Sequence, residues 1–183
     1  MPDRLDLLPA IEEAVWQQLA ACVGDKSHPW RTPVLATLDG ERADARTVVL
    51  REIDARQKQL LIYTDERAGK VKQLLSHPHG TLVMWSPALS WQLRCQVRLS
   101  LEMSGLAASS RWARIRLSPA AQDYLSPLPP GTTLPAQPAH APLARDYFAV
   151  IDATIESLDW LELHRDGHRR AIFDAQGARW VQP

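Results

Sequence analysis

From Trp91 to Met103 every odd-numbered residue is apolar: Trp91, Leu93, Cys95, Val97, Leu99, Leu101 and Met103. Between them stand Gln92, Arg94, Gln96, Arg98, Ser100 and Glu102. Side chains of an extended chain point alternately to the two faces of a sheet. This strict period of two therefore specifies one strand with one face on a core and the other toward solvent or a ligand. A strand this long suits a barrel better than a simple sandwich.

Other segments supply the rest of the sheet. Val34 to Leu38 reads as a strand that turns at Asp39-Gly40, a strong hairpin dipeptide. Ala45 to Leu50, Gln59 to Thr64, Thr81 to Trp85 and Phe148 to Leu163 read as strands, and Arg169 to Phe173 with Arg179 to Gln182 as a closing hairpin. Helical spacing of Leu8, Ile11, Val15, Leu19 and Cys22 predicts an N-terminal helix over about 8–23. Shorter helices are expected over Ala68 to Ser76 and Ser109 to Leu117, with another starting at Ser118-Pro119. Residues 126–142 hold six prolines and read as a semi-rigid loop within one domain, because strand signals resume directly after it. The expectation is a single α+β domain over 1–183. Its seven or eight strands form a mostly antiparallel, barrel-like sheet flanked by short helices.

Charge narrows the function. Lys+Arg and Asp+Glu are both 21, so no global basic field for nucleic acid exists and any anion site must be local. No run of residues is long and apolar enough to span a membrane. The N-terminus has Asp3, Arg4 and Asp6 and no long apolar stretch, which points to a cytoplasmic protein whose Cys22 and Cys95 are buried thiols.

No G-x-S-x-G, Walker A or G-x-G-x-x-G frame is present, so neither a nucleophile elbow nor a nucleotide P-loop is expected. His164 and His168 are four apart but fall at a strand end and turn, and no H-E-x-x-H frame exists; no metal site is expected. Arg46, Arg51, Lys70, Arg94 and Arg170 lie in or beside strands, with Gln92 on the polar face of the long one. Lys70 stands in the first turn of its expected helix. A cation there opposes the helix dipole unless an anion binds nearby, which points to a phosphate.

The order Arg46-Thr47-Val48-Val49-Leu50-Arg51, Tyr63-Thr64, Lys70, Trp85, Gln92-Leu93-Arg94 and Trp160…His168-Arg169-Arg170 resembles the pyridoxamine 5'-phosphate oxidase-like FMN-binding family over about residues 28–173. The resemblance implies a split β-barrel that forms a homodimer with FMN in grooves between the subunits. Arg46 to Arg51 would line the phosphate and ring side, Tyr63 and Thr64 would touch the flavin, Lys70 would pair with the phosphate, and Gln92 would bond the ring edge. Trp160 and Arg170 would come from the partner chain. A regular strand places Arg46 and Arg51 on opposite faces, so a bulge or a backbone contact is needed for both to serve one ligand.

For a small-molecule substrate the resemblance implies Arg94, Trp112, Arg116 and His168. The chain departs from the oxidase pattern at three places: Asp166 replaces a basic residue, Arg51 replaces a substrate lysine, and the G-A-W-x-S-x-Q-S segment is missing. These departures disfavour pyridoxamine phosphate as substrate. The resemblance implies an FMN-dependent oxidoreductase. The alternatives are a flavin carrier or sensor without turnover, or a split barrel holding haem or a deazaflavin.

Overall fold

The structure, a computed structural model, describes residues 4–134 and 147–183; positions 135–142 of the proline-rich stretch lie outside them. Helix α1 (Leu8–Gly24) precedes strands β1 (Val34–Asp39), β2 (Arg42–Thr47), β3 (Leu50–Asp54) and β4 (Gln59–Asp65). Helix α2 (Gly69–Ser76) leads to β5 (His79–Ser86) and β6 (Trp91–Glu102), then α3 (Leu106–Ile115) and a 3-10 helix (Pro119–Tyr124). Strands β7 (Phe148–Glu162), β8 (Arg169–Asp174) and β9 (Gly177–Val181) complete the chain.

The nine strands among the described residues form one antiparallel sheet in the order β2-β1-β5-β6-β7-β4-β3, with β8 on β7 and β9 on β8. Consecutive strands β2 and β3 thus occupy opposite ends of that order. Only Val48 and Val49 link them, and a link of this length spans at most about 11 Å. The two edges must therefore lie close together, and the sheet curls into a barrel with an unpaired seam between β2 and β3. This is the mostly antiparallel, barrel-like sheet with short flanking helices expected from the strand pattern, in the split form that the resemblance implied.

The expected single strand from Ala45 to Leu50 is instead broken at this seam. Pro33 has no N–H to extend the ladder of β1 beyond the Val34–Thr47 pair, yet its carbonyl still accepts from the Val48 amide at 2.9 Å. The chain leaves β1 there and re-enters the sheet beside β4. The break raises the strand count to nine. The helix expected from Ser109 begins three residues earlier, after Gly105, whose φ of 91° suits a glycine.

Leu93, Cys95, Val97 and Leu99 of β6 are buried inside the barrel beside Leu35, Leu50, Leu60, Ile62, Leu82 and Ile151. Met103 falls outside β6 and is exposed. Ile11, Val15, Leu19 and Cys22 of α1 are fully buried in the same cluster, so the helix closes onto the barrel core. Each such aliphatic side chain contributes about 1.5–3 kcal/mol by leaving water. A second cluster of Leu61, Tyr63, Phe148 and Val150 packs under Trp112, Ile115 and Tyr124, so α3 and the 3-10 helix cover the outer face of β4 and β7.

The outer face of β1, β5 and β6 has no such cover among the described residues. Register places Val34, Val83, Trp85, Gln92, Arg94 and Leu161 on it, and Val34 and Trp85 are 40% and 42% exposed.

Candidate functional site

A cavity of about 280 Å³ opens at the barrel seam. Its wall contains Arg46 to Val49, Arg51, Tyr63, Thr64 and Lys70, eight of the residues expected at the flavin. The break at Val48-Val49 and a register shift between Leu50 and Glu52 remove the face conflict, so Arg46 and Arg51 line one space. Leu50 is fully buried in the core, which leaves only its backbone for a ligand.

The cations of this cavity are unequally satisfied. Arg46 donates to the Leu35 carbonyl at 3.1 Å, to Thr37 Oγ1 at 2.6 Å, and to Gln73 Oε1 at 2.7 Å, and it pairs with Asp44. Lys70 donates to the Thr64 hydroxyl at 3.0 Å, and no carboxylate stands within ion-pair distance of it among the described residues. Burial, and then the charge of Arg46, lower the Lys70 proton affinity, while Asp65 pulls weakly the other way. Asp65 is itself held by Arg67 at 2.7 Å. Positive charge without a matching counter-charge at a partly buried site is stabilised by an anion. Helix α2 has no acidic residue in its first turn, and Lys70 sits there against the helix dipole.

At the other end, Arg51 lies 5.8 Å from the Tyr63 ring centre. The Tyr63 hydroxyl donates to Glu52, which Arg111 also holds at 3.0 Å. Burial, then the bond to Glu52, push the Tyr63 phenol pKa up. Asp123, Tyr124 and Pro130 also line the cavity. Sequence reasoning missed them, because they come from the irregular segment after α3 and carry no motif. Tyr124 is buried, and burial pushes its phenol pKa up while the Arg51 guanidinium beside it pulls it down.

The remaining expected residues lie away from this cavity. Gln92, Arg94 and Arg170 share the uncovered outer face. Asp159 binds both Arg94 and Arg170, the latter through two bonds of 2.9 and 2.7 Å. Burial pushes the Asp159 carboxyl up, but the bonds and charges of Arg170 and Arg94 outweigh it and hold the carboxyl below its ordinary range. Trp160 is fully buried, edge-on to Trp91 at 5.3 Å, so its side chain cannot contact a ligand at the surface as expected. The β7 alternation aims it inward, and it supports the strand from the core. Trp112 packs on Phe148 in the outer cluster. Arg116 and His168 are exposed, with His168 Nδ1 accepting from the His164 amide at 3.1 Å in the turn before β8. Cys22 and Cys95 are buried and unpaired. Among the described residues no cluster of three or more metal-ligating side chains occurs, and no helix is long and apolar enough to cross a membrane.

A split barrel with a cation-lined cavity at its seam defines a class of fold, and comparison with known proteins agrees with that fold. Residues 13–101 match the family model described as pyridoxamine 5'-phosphate oxidase, FMN-binding domain. Over that stretch the chain is thus similar to the FMN-binding domain of the pyridoxamine 5'-phosphate oxidase family. Among solved structures it is similar to a pyridoxamine 5'-phosphate oxidase-related, FMN binding protein from Nostoc punctiforme PCC 73102, at 22% identity and a TM-score of 0.72, covering 98% of this chain and 100% of that one. It is also similar to PhzG from Burkholderia lata 383 in complex with tetrahydrophenazine-1-carboxylic acid, at 13% identity and a TM-score of 0.72, covering 100% and 97%. A heme binding protein from Mycobacterium smegmatis matches at 14% identity and a TM-score of 0.52, covering 84% and 56%. At these identities the structural likeness is one of fold. Among curated proteins, none matches the chain in sequence.

Proposed function

We propose that this chain is an FMN-dependent oxidoreductase acting on a small molecule as a cytoplasmic homodimer. One observation carries the reading: Lys70, with only a neutral hydroxyl as partner among the described residues, stands beside Arg46 in the seam cavity. These two residues would hold the FMN phosphate, and the backbone of Thr47 to Val49 with Tyr63 and Thr64 would border the ring. When bound, FMN supplies two-electron redox chemistry, and the protein binds, orients and excludes water. The uncovered face bearing Val34 and Trp85 would meet a second copy, bringing that copy's Gln92 and Arg170 toward the flavin. The buried free thiols suit a reducing compartment. Asp166, exposed in the turn before β8, replaces a basic residue of the oxidase pattern, so the substrate is not expected to be pyridoxamine phosphate.

Purified protein should show a flavin absorbance spectrum, release FMN on heating, and elute as a dimer. A colourless protein that takes up no FMN would refute the reading. Anaerobic pyridoxamine phosphate should leave the flavin oxidised; bleaching would restore the oxidase reaction.

A second reading is a flavin carrier or sensor. It is favoured by Asp159, which engages both Arg94 and Arg170 and offsets one of their two charges. Failure of a broad panel of amines and reducible small molecules to change the flavin spectrum would favour it. Among the described residues no histidine lines the seam cavity to favour haem. The chemical identity of the released cofactor separates FMN from a deazaflavin.

A further inference from the structure

We infer that Gln73, which belongs to no motif of the chain, is a positioning residue of the seam site: it fixes the Arg46 guanidinium beside Lys70 and thereby sets affinity for a phosphate-bearing ligand. The identity of that ligand as FMN rests on the function proposed above; the clamp itself does not.

Gln73 is buried on α2. Its Oε1 accepts from Thr37 Oγ1 at 2.6 Å and from Arg46 Nη2 at 2.7 Å, while its Nε2 donates to Asp44 Oδ2 at 2.8 Å. The amide is thus fixed in one orientation, with its acceptor on the guanidinium. Thr37 is also buried, and its hydroxyl accepts from Arg46 Nη1 while donating to Gln73. Three elements, β1, β2 and α2, therefore converge on one guanidinium carried by an edge strand. An arginine on such a strand would otherwise keep its rotamer freedom and lose it on binding.

The chemistry of the clamp matters as much as its geometry. The Leu35 carbonyl, the Thr37 hydroxyl and the Gln73 amide are neutral acceptors. They orient Arg46 without cancelling its charge. Asp44 is the one carboxylate paired with Arg46 among the described residues, and its side chain is half exposed, where solvent weakens the pairing. A glutamate at 73 would have neutralised Arg46 and lost the bond to Asp44. Gln73 also stands three residues after Lys70, on the same helical face. One short helix thus presents the first cation and holds the second. The two cations sense each other, since Arg46 lowers the proton affinity of Lys70.

The test uses the full chain with Gln73→Met, which keeps the side chain's length and removes its polar atoms, and Thr37→Val as a second variant. Binding is measured with FMN and with riboflavin, which lacks the phosphate. Gln73→Met should weaken FMN roughly ten-fold or more and leave riboflavin within about two-fold, because it strands the buried partners of a phosphate-facing cation. Thr37→Val should act in the same direction. Unchanged FMN affinity, or equal loss of both flavins, would overturn the inference. A readout without any flavin comes from the four lysines of the chain, Lys26, Lys58, Lys70 and Lys72. After reductive methylation with ¹³C-formaldehyde, the Lys70 methyl signal should titrate at higher pH in Gln73→Met than in the parent, with the other three unmoved. An unmoved Lys70 would overturn the clamp. A parent protein that binds neither flavin would refute the flavin reading alone, and the lysine titration would still decide Gln73.

Discussion

Replacing Asp159 by Asn tests how the outer face is held together. Asp159 accepts from Arg94 and Arg170, and both guanidinium groups share its Oδ2 atom. Two unit charges held about 5 Å apart by a shared partner repel by about 3 kcal/mol at an effective dielectric of 20. Arg94 and Arg170 are 37% and 29% exposed, so solvent reduces this to about 1–2 kcal/mol. The weaker bonds to a neutral amide remove about 1 kcal/mol more. Asp159→Asn should therefore cost about 2–3 kcal/mol in urea denaturation at neutral pH, a fall in Tm of about 4–12 °C for a chain of this size. The Asp159 pKa lies lower in the folded chain than in the unfolded one. Its contribution is thus fully present above the unfolded value near 3.9 and disappears as pH falls through the lower folded value. The gap between parent and variant should therefore begin to narrow only as pH falls below about 4, and close below the folded value. Adding Arg94→Gln to Asp159→Asn should recover part of the loss, because it removes one of the two repelling charges. A variant within about 0.5 kcal/mol of the parent at pH 7, or a gap that widens in acid, would refute this account.

Lys70→Glu should weaken FMN binding roughly 100-fold or more, read by fluorescence titration, and unchanged affinity would remove Lys70 from the site. Gly80→Ala should destabilise by about 2 kcal/mol, because the new Cβ would fall 2.9 Å from the Ala36 carbonyl oxygen and 3.0 Å from a Leu99 methyl; an unshifted urea midpoint would contradict that crowding. Burial pushes the Cys22 thiol up to about 11 and Cys95 higher still, so neither should react quickly with an aromatic disulfide reagent at pH 8 until the chain is denatured.

Much of the fold is visible in local pattern. The inward residues of β6 are those its alternation marks, and the apolar stripe of α1 is the face buried against the core. Such periodicities survive because each element buries one face whatever its neighbours are. The seam does not follow from local pattern. Arg46 to Arg51 reads as one strand, and only the loss of ladder pairing at Pro33, with re-entry beside β4, breaks it. Trp160 shows the opposite failure: its motif suggests a ligand contact, but long-range pairing of β7 with both β6 and β8 aims it into the core.

The sequence by itself determined a long two-faced strand, an amphipathic first helix, a mainly β architecture and a set of basic residues suited to a phosphate. Each depends on residue type and spacing within one segment. Tertiary structure alone decided which cations meet. Arg46 and Lys70 lie on different elements and line one cavity, Arg46 held by Gln73 and Thr37 and Lys70 bonded to Thr64, whereas Arg94 and Arg170 are drawn to Asp159. The reason is physical: a side chain's partners depend on which strands become neighbours, and that is fixed by closing the whole sheet rather than by any local run of residues.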